Sequence, residues 1–485
     1  MYRHPAQHAL SALLIATALA AATTAGATPR LDPEFLGGQV QLGPAGSQGD
    51  FWTALAIQDD GRIVSVGSRS PDPANPASSA VQIAIGRTLP DGRPDSAFGE
   101  DGRRVIDLVV PGGGSDQESL ADVRVLADGR LLAAGFIRRF QTLGTGDALL
   151  VRLLPNGQLD SSYGSSGAVR HDLGPFNDVP VALLPRTGGG FWMLGDSAMG
   201  PGSSEDFQPF VAAVRDDGSL DPGFAAGGVV RHAFSPGSPS DRTVFARGDG
   251  DGLLAWGTLD NGAQGGLWRV RADGTLDAGF GTAGVVRLPV TGGSNVLVRA
   301  VADRPGGYLV LLSASVGGVV QALVHAIDAR GRPDPVFPGG VPRALPASAP
   351  ALAFELHAVA PSLYLAVGRI DVGQAGEDLA LWALDANGNP VERFAPGGFA
   401  RLDTSGANRR DVYLPSLLEP LTGKLVVGGG MRIDTIRTQF ALARITTGLE
   451  PTPAPAVPST GVPALIVLAL LLAASAARVR GLREV

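Results

Sequence analysis

One short motif governs what this chain can fold into. An aspartate followed three positions later by an aromatic recurs in the segments LDPEFLGG, RPDSAFGEDG, QLDSSYGSSG, SLDPGFAAGG, TLDAGFGTAG and RPDPVFPGG, and NPVERFAPGG keeps the aromatic alone. The aromatics are Phe35, Phe98, Tyr163, Phe224, Phe280, Phe337 and Phe394, spaced by 63, 65, 61, 56, 57 and 57 residues. The aspartates are Asp32, Asp95, Asp160, Asp221, Asp277 and Asp334; Val391 takes the seventh place. An eighth copy starts at Thr447-Gly448-Leu449-Glu450 and stops, so the 418 residues from Asp32 to Glu450 hold seven periods of about 60.

Each period carries the signals of about four short strands. Asp60-Gly61-Arg62 and Asp128-Gly129-Arg130 sit between apolar runs, where glycine accepts the positive φ of a tight hairpin. Later copies are looser: Gly188-Gly189, Asp251-Gly252, Pro305-Gly306-Gly307 and Thr422-Gly423-Lys424. A run such as Ala148–Leu154 leads into Asn156-Gly157, and no 3.6-residue amphipathic pattern runs through the body. The reading is all-β: four antiparallel strands repeated seven times, a seven-bladed β-propeller over residues 28–450. A flat array of such sheets would leave open edges, which a ring removes. The first copy starts mid-motif and the last ends on the strand Gln439–Ile445, so the N-terminal piece is expected to complete the last blade. With no cysteine in 485 residues, strand pairing is the staple this chain can use in place of a disulfide.

These landmarks resemble the bacterial delta-60 repeat family, whose pattern is an Asp-Gly-x-Leu-Asp-x-x-Phe-Gly motif followed by an Asp-Gly-Arg/Lys hairpin. The resemblance spans about residues 31–450 and is sharpest in copies two to five. It implies a propeller-like exported repeat domain and attaches no activity to any residue.

Both ends read as addresses. Residues 1–27 have a basic start at Arg3, an apolar run over Leu10–Ala22 and small residues at Ala25 and Ala27, the build of a cleaved secretory signal. Residues 451–461 join a Pro-rich spacer to Val457-Pro458-Ser459-Thr460-Gly461. Residues 462–477 are a short apolar segment expected to enter a membrane, and residues 478–485 carry Arg478, Arg480 and Arg483, which would hold the tail in the cytoplasm. This end resembles a surface-sorting signal, either the LPxTG-like type or the proline-led IPTL/PEP exosortase type; a plain anchor is the third reading. A sorting or processing peptidase is then an expected partner, and the body is expected at the cell envelope or cell surface, or released.

Composition removes several chemistries. A net charge of −7 argues against nucleic-acid binding. The lack of cysteine excludes thiolate metal sites and cysteine nucleophiles, and Lys424, the only lysine, leaves little room for Schiff-base chemistry. The repeated aspartates invite a cation ring, but one equivalent per blade is what turn-capping predicts, with the aromatics packing between blades. Asp249-Gly250-Asp251-Gly252 lacks the further acids of a calcium loop. His171, His232, His325 and His357 form no metal-binding pattern, and Gly195-Asp196-Ser197-Ala198-Met199 fails a nucleophile elbow at its last position. Trp52, Trp192, Trp256, Trp268 and Trp382 suit core packing before a sugar site. No cofactor, metal or catalytic residue is expected. The expected function is a non-enzymatic scaffold binding a protein or glycan, with binding in the irregular stretches Arg69–Ser79, Pro111–Glu118 and Asp196–Asp206. The alternative is an extracellular lyase or hydrolase acting at a central channel.

Overall fold

A computed structural model of the chain describes residues 29–449, except 39–40, 43–47, 71–80, 109–115, 140–145, 175, 201–206, 235–240, 338–339, 374–375, 405–410, 421 and 433–437. The signal segment, the sorting motif and the C-terminal apolar segment lie outside the described residues, as does most of the three irregular stretches.

Seven antiparallel sheets follow one another along the chain. The first is Gln48–Ile57, Ile63–Ser70, Gln82–Thr88 and Arg103–Ile106. The next five open with Asp116–Val125, Asp178–Pro185, Arg242–Asp249, Gly293–Arg304 and Ala351–Ala360. The seventh consists of Asp411–Leu418, Leu425–Arg432 and Thr438–Thr446, and the N-terminus completes it. Arg30–Leu31 and Gln41–Leu42 both pair with the free edge of Thr438–Thr446, in the registers Leu31↔Ile445 and Gln41↔Leu442. The first strands of neighbouring sheets adjoin one another all the way round, from Gln48–Ile57 through to Asp411–Leu418 and back, so they form the inner wall of a closed ring. This is a seven-bladed propeller, and among the described residues it contains no α-helix.

The sequence period and the blade are out of phase. The strand after each aromatic belongs to the sheet that precedes the motif: Ala168–His171, which follows Tyr163, pairs with Gly146–Leu153, which comes before it. The motif is therefore the connection between the third and fourth strands of one blade. It is pinned by a bridge to the end of the third strand, as in Thr88↔Pro94, Leu153↔Leu159, Val214↔Leu220 and Val270↔Leu276.

Antiparallel order sorts the connections onto two faces. The hairpins between first and second strands and the aspartate–aromatic motifs share one face, the turn face. Connections from second to third strands and from fourth strands to the next blade share the other, the loop face. The ends of the three irregular stretches all lie on the loop face.

Each blade interface holds its own apolar cluster, such as Leu132, Leu150, Tyr163, Leu183 and Phe210 between blades 2 and 3. Each such fully buried side chain contributes about 1.5–3 kcal/mol. Among the described residues the closing interface has the smallest set of buried apolar side chains, Phe35, Ile63, Val426 and Leu442.

Candidate functional site at the inner strands and the turn face

The turn face is built from the motif residues. All seven aromatics are buried, at 0–3% exposure. Each of six packs against the turn glycine of the next blade: a Cβ added at Gly157 would meet the Phe98 ring at 2.9 Å, and one at Gly218 the Tyr163 ring at 2.7 Å. The residue after the aromatic donates to the same turn, as in Gly99 N–H to Asn156 O at 3.1 Å and Gly281 N–H to Arg330 O at 2.7 Å.

The motif aspartates use their two oxygens differently. One accepts the backbone N–H two residues on, an Asx turn: Glu34 to Asp32 and Ala97 to Asp95 at 3.1 Å, and Gly279 to Asp277 at 3.2 Å. The other takes an arginine eight residues earlier, at the end of the third strand. Arg87 Nε meets Asp95 and Arg152 Nε meets Asp160, both at 2.8 Å. The same guanidinium lies over the motif aromatic, 4.6 Å from the Phe98 centroid and 4.3 Å from the Tyr163 centroid. It then donates to the next blade, from Arg152 to Asp216 O at 3.0 Å and from Arg444 to Pro90 O at 2.8 Å.

Composition drew attention to the aspartates and missed these arginines, although the eight-residue spacing was legible in Arg87/Asp95, Arg152/Asp160 and Arg269/Asp277. The exceptions obey buried-charge logic. Where the strand position is Ala213 or Ala326, Arg186 or Arg304 of the hairpin supplies the charge to Asp221 or Asp334. Where it is Ala383, the aspartate is gone too, replaced by Val391. Losing both partners of such a pair costs far less than losing one. Next to Ala213 there is an open cleft of about 480 Å³ lined by Arg186, Gly188–Gly190, Arg215–Asp217 and Asp221.

The inner strands break the symmetry that the turn face keeps. Each first strand carries a β-bulge at an equivalent place, for example between Leu120 and Asp122, Val298 and Ala300, or Ala353 and Glu355. Bulges re-aim side chains, and here they present different residues blade by blade: Thr53, Ala121, Val181, Val244, Arg299 and Phe354 at the bulge. One position on come Ala54, Asp122, Ala182, Phe245, Ala300 and Glu355. Charge thus gathers on blades 5 and 6, with Asp122 as an outlier on blade 2.

Asp122 accepts from Leu183 N–H and Val123 N–H, both at 2.8 Å, and pairs with Arg124 at 2.7 Å. Burial nonetheless pushes its carboxyl above the ordinary range. Burial, with the Asp122 charge in range, pushes Glu355 up to about 8. His357, pushed down to about 4 by burial, shares its Nε2 with Ser416 Oγ at 2.7 Å.

The remaining sequence candidates fall elsewhere. Asp249 pairs with Arg269 at 2.7 Å. Ser197 donates to Asp178 at 2.5 Å. The five tryptophans are buried. Among the described residues no group of three potential ligands could hold a metal, and no helix is long and apolar enough to cross a membrane.

These shifts set a pH profile. Asp178, Asp196 and Glu355 are raised to about 6, 7 and 8 by burial, so their contribution is full at low pH and is lost as pH climbs through those values. His232, His325 and His357, each lowered to about 4, act oppositely: they favour the fold above their ordinary value of 6.5, and that support is lost as pH falls toward 4. The two sets oppose each other between pH 4 and 6.5. Above 6.5 the acids act alone, so stability is expected to fall from pH 6.5 to 8. Glu355→Gln should raise the melting temperature at pH 8 by a few degrees, on the order of 2 kcal/mol, and change little at pH 5. A melting temperature that climbs between pH 6.5 and 8 in the parent would contradict this assignment.

The fold and its sites define a β-propeller repeat protein. Residues 126–163, the stretch from the second hairpin to the third motif, match the family described as a domain of unknown function (DUF5122) beta-propeller. No curated protein matches the sequence. Among solved structures, a protein of unknown function from Dyadobacter fermentans is 12% identical, with TM-score 0.46, covering 86% of this chain and 99% of its own. The NanB sialidase from Streptococcus pneumoniae is 10% identical, with TM-score 0.40, covering 84% and 70%. The polysaccharide lyase Uly1 is 11% identical, with TM-score 0.43, covering 84% and 91%. Likenesses at this level carry nothing about activity.

Proposed function

We propose that this chain is an exported propeller that binds a glycan or protein through its loop face, held at the cell envelope by residues 451–485 or released by processing there. The supporting observation is the contrast between the two faces. The turn face is spent on repeat-equivalent latches, whereas the ends of the irregular connections lie on the other face and the inner strands carry residues that differ from blade to blade, and binding concentrates on such connections.

Binding of the full chain to glycan and envelope-protein panels tests this. Replacing residues 71–80 by a Gly-Ser linker should weaken capture at least tenfold, and Asp273→Ala on the turn face should leave it unchanged. The reverse pattern refutes the assignment of faces. Export predicts a mature N-terminus at Thr28 in the envelope or medium fraction; an intact Met1 in the cytosol contradicts it.

One observation favours a second reading, an extracellular lyase or hydrolase. Asp122 and Glu355 are inner-strand carboxyls within electrostatic range of one another, both held toward the protonated form, as a general acid requires. Glycan cleavage that is abolished by Glu355→Gln would decide for the enzyme.

A further inference from the structure

Resting on that binding reading, we propose that Arg299 and Arg369 form a recognition site for the carboxylate of an acidic sugar, a uronic acid at the end of an oligosaccharide chain.

Arg299 is the bulge residue of its strand, lying between Val298 and Ala300. Its backbone is fixed by Trp256 Nε1, which donates to Arg299 O at 3.0 Å. Its guanidinium lies 5.3 Å from the Phe354 ring centroid on the neighbouring blade, and Arg369 reaches the same ring at 5.5 Å. Two cations therefore share one aromatic ring where the inner strands of blades 5 and 6 adjoin.

The latch arginines Arg87, Arg152 and Arg444 each meet an aspartate. Among the described residues Arg299 meets no carboxylate; its Nε donates to Ser313 Oγ at 2.9 Å. Arg369 uses one nitrogen on Glu377 at 3.1 Å. Burial, with the nearby Arg369 charge adding to it, lowers Arg299 to about 10. Like charges so placed work against the fold, which fits a site kept for a ligand.

An anion between two guanidinium forks answers both charges, and planar carboxylates match that geometry. Arg369 and Phe354 sit at the second to fourth residues of Ala351–Ala360, on the loop-face half of the sheet: Arg369 pairs with Leu352, and Phe354 is two residues further on. A slender chain end reaches residues on the inner strands of a ring more readily than a folded protein surface does. Phe354 beside the cations adds the apolar contact that a pyranose ring uses.

Isothermal titration of the full chain with trigalacturonate, neutral galactotriose, a glutamate-rich peptide and sulfate tests the proposal. Trigalacturonate should bind at least tenfold tighter than the other three and weaken with salt. Arg299→Gln and Arg369→Gln should each weaken it at least tenfold. Arg299→Gln should also melt no lower than the parent, since it relieves repulsion, so lost binding cannot be put down to unfolding. Equal binding of the neutral sugar, tighter binding of the peptide or sulfate, a lower melting temperature for Arg299→Gln, or affinities within twofold in either variant overturns the site. If galactotriose or the peptide binds and trigalacturonate does not, this inference fails while the binding reading stands; if a full ligand panel finds nothing, both fail.

Discussion

A chain lacking residues 31–45 should lose most of its stability, while one lacking 451–460 should melt like the parent. The first deletion removes the two strand pieces that cover Thr438–Thr446, and with them Phe35, the largest buried side chain of the closing interface. It also removes Asp32, on which the seam charges converge. Asp32 Oδ2 holds Arg444 Nε at 2.6 Å and Lys424 Nζ at 3.0 Å, and Arg444 turns to Glu419 at 3.0 Å. The chain's only lysine is thus committed to fastening its first strand to its last blade, with Glu34 Oε2 at 2.5 Å as a second partner. Although burial opposes ionisation of Asp32, the hydrogen bonds from Lys424, Glu34 N–H and Arg444 hold its carboxyl below the usual range.

Removing one member of a buried pair costs about 3–5 kcal/mol, and here an exposed strand edge and a lost aromatic add to it. Because an unsealed ring can part at every interface, the loss should appear as a melting temperature lower by more than 10 °C and as aggregation through the bared edge. Asp32→Asn should show the charge part alone, a few degrees. Equal melting of the two truncations would mean that the seam is not what closes the ring.

The fold was legible because its code is local. Turn glycines, Asx aspartates and aromatics fall at fixed offsets, and each marks a place where the backbone has few alternatives. The phase of the repeat was not legible. A motif between two strands reads the same whichever sheet takes the second strand, and only the pairing of Ala168–His171 back onto Gly146–Leu153 settles it. Arg87, Arg152 and Arg269 were readable in principle, but arginine next to an apolar run ordinarily means a solvated strand end. The inner-wall residues were not readable at all. Glu355 in Ala353–His357 and Arg299 in Leu297–Val301 look like outward positions of alternating strands. What turns them inward is a bulge, and the alternation of residues along the bulged strand does not show where it falls.

Those bulges do leave one mark, a glycine, and it supports the other large prediction: Gly257→Ala should prevent the ring from forming at 37 °C. Gly257 pairs with Thr243, the last regular residue before the bulge of its blade. A Cβ there would lie 1.7 Å from Arg242 O, a backbone atom that no rotamer change can move. Gly135, Gly195 and Gly368 hold the same place in their blades, with first-strand carbonyls at 1.9, 2.1 and 1.9 Å from the added carbon. Their φ is that of an ordinary strand, so the requirement is for space and not for a special dihedral. Ordinary overpacking costs about 1–3 kcal/mol when side chains can shift; displacing two hydrogen-bonded strands should cost more, about 4 kcal/mol or above. Gly250→Ala supplies the contrast. Its φ of +60° strains alanine, but nothing lies within 4 Å of the added carbon, so about 1–2 kcal/mol is expected. Urea unfolding of the two variants, compared with the parent, measures the difference. A Gly257→Ala protein as stable as Gly250→Ala would show that the first and second strands do not approach this closely, and the inner wall would have to be redrawn with them.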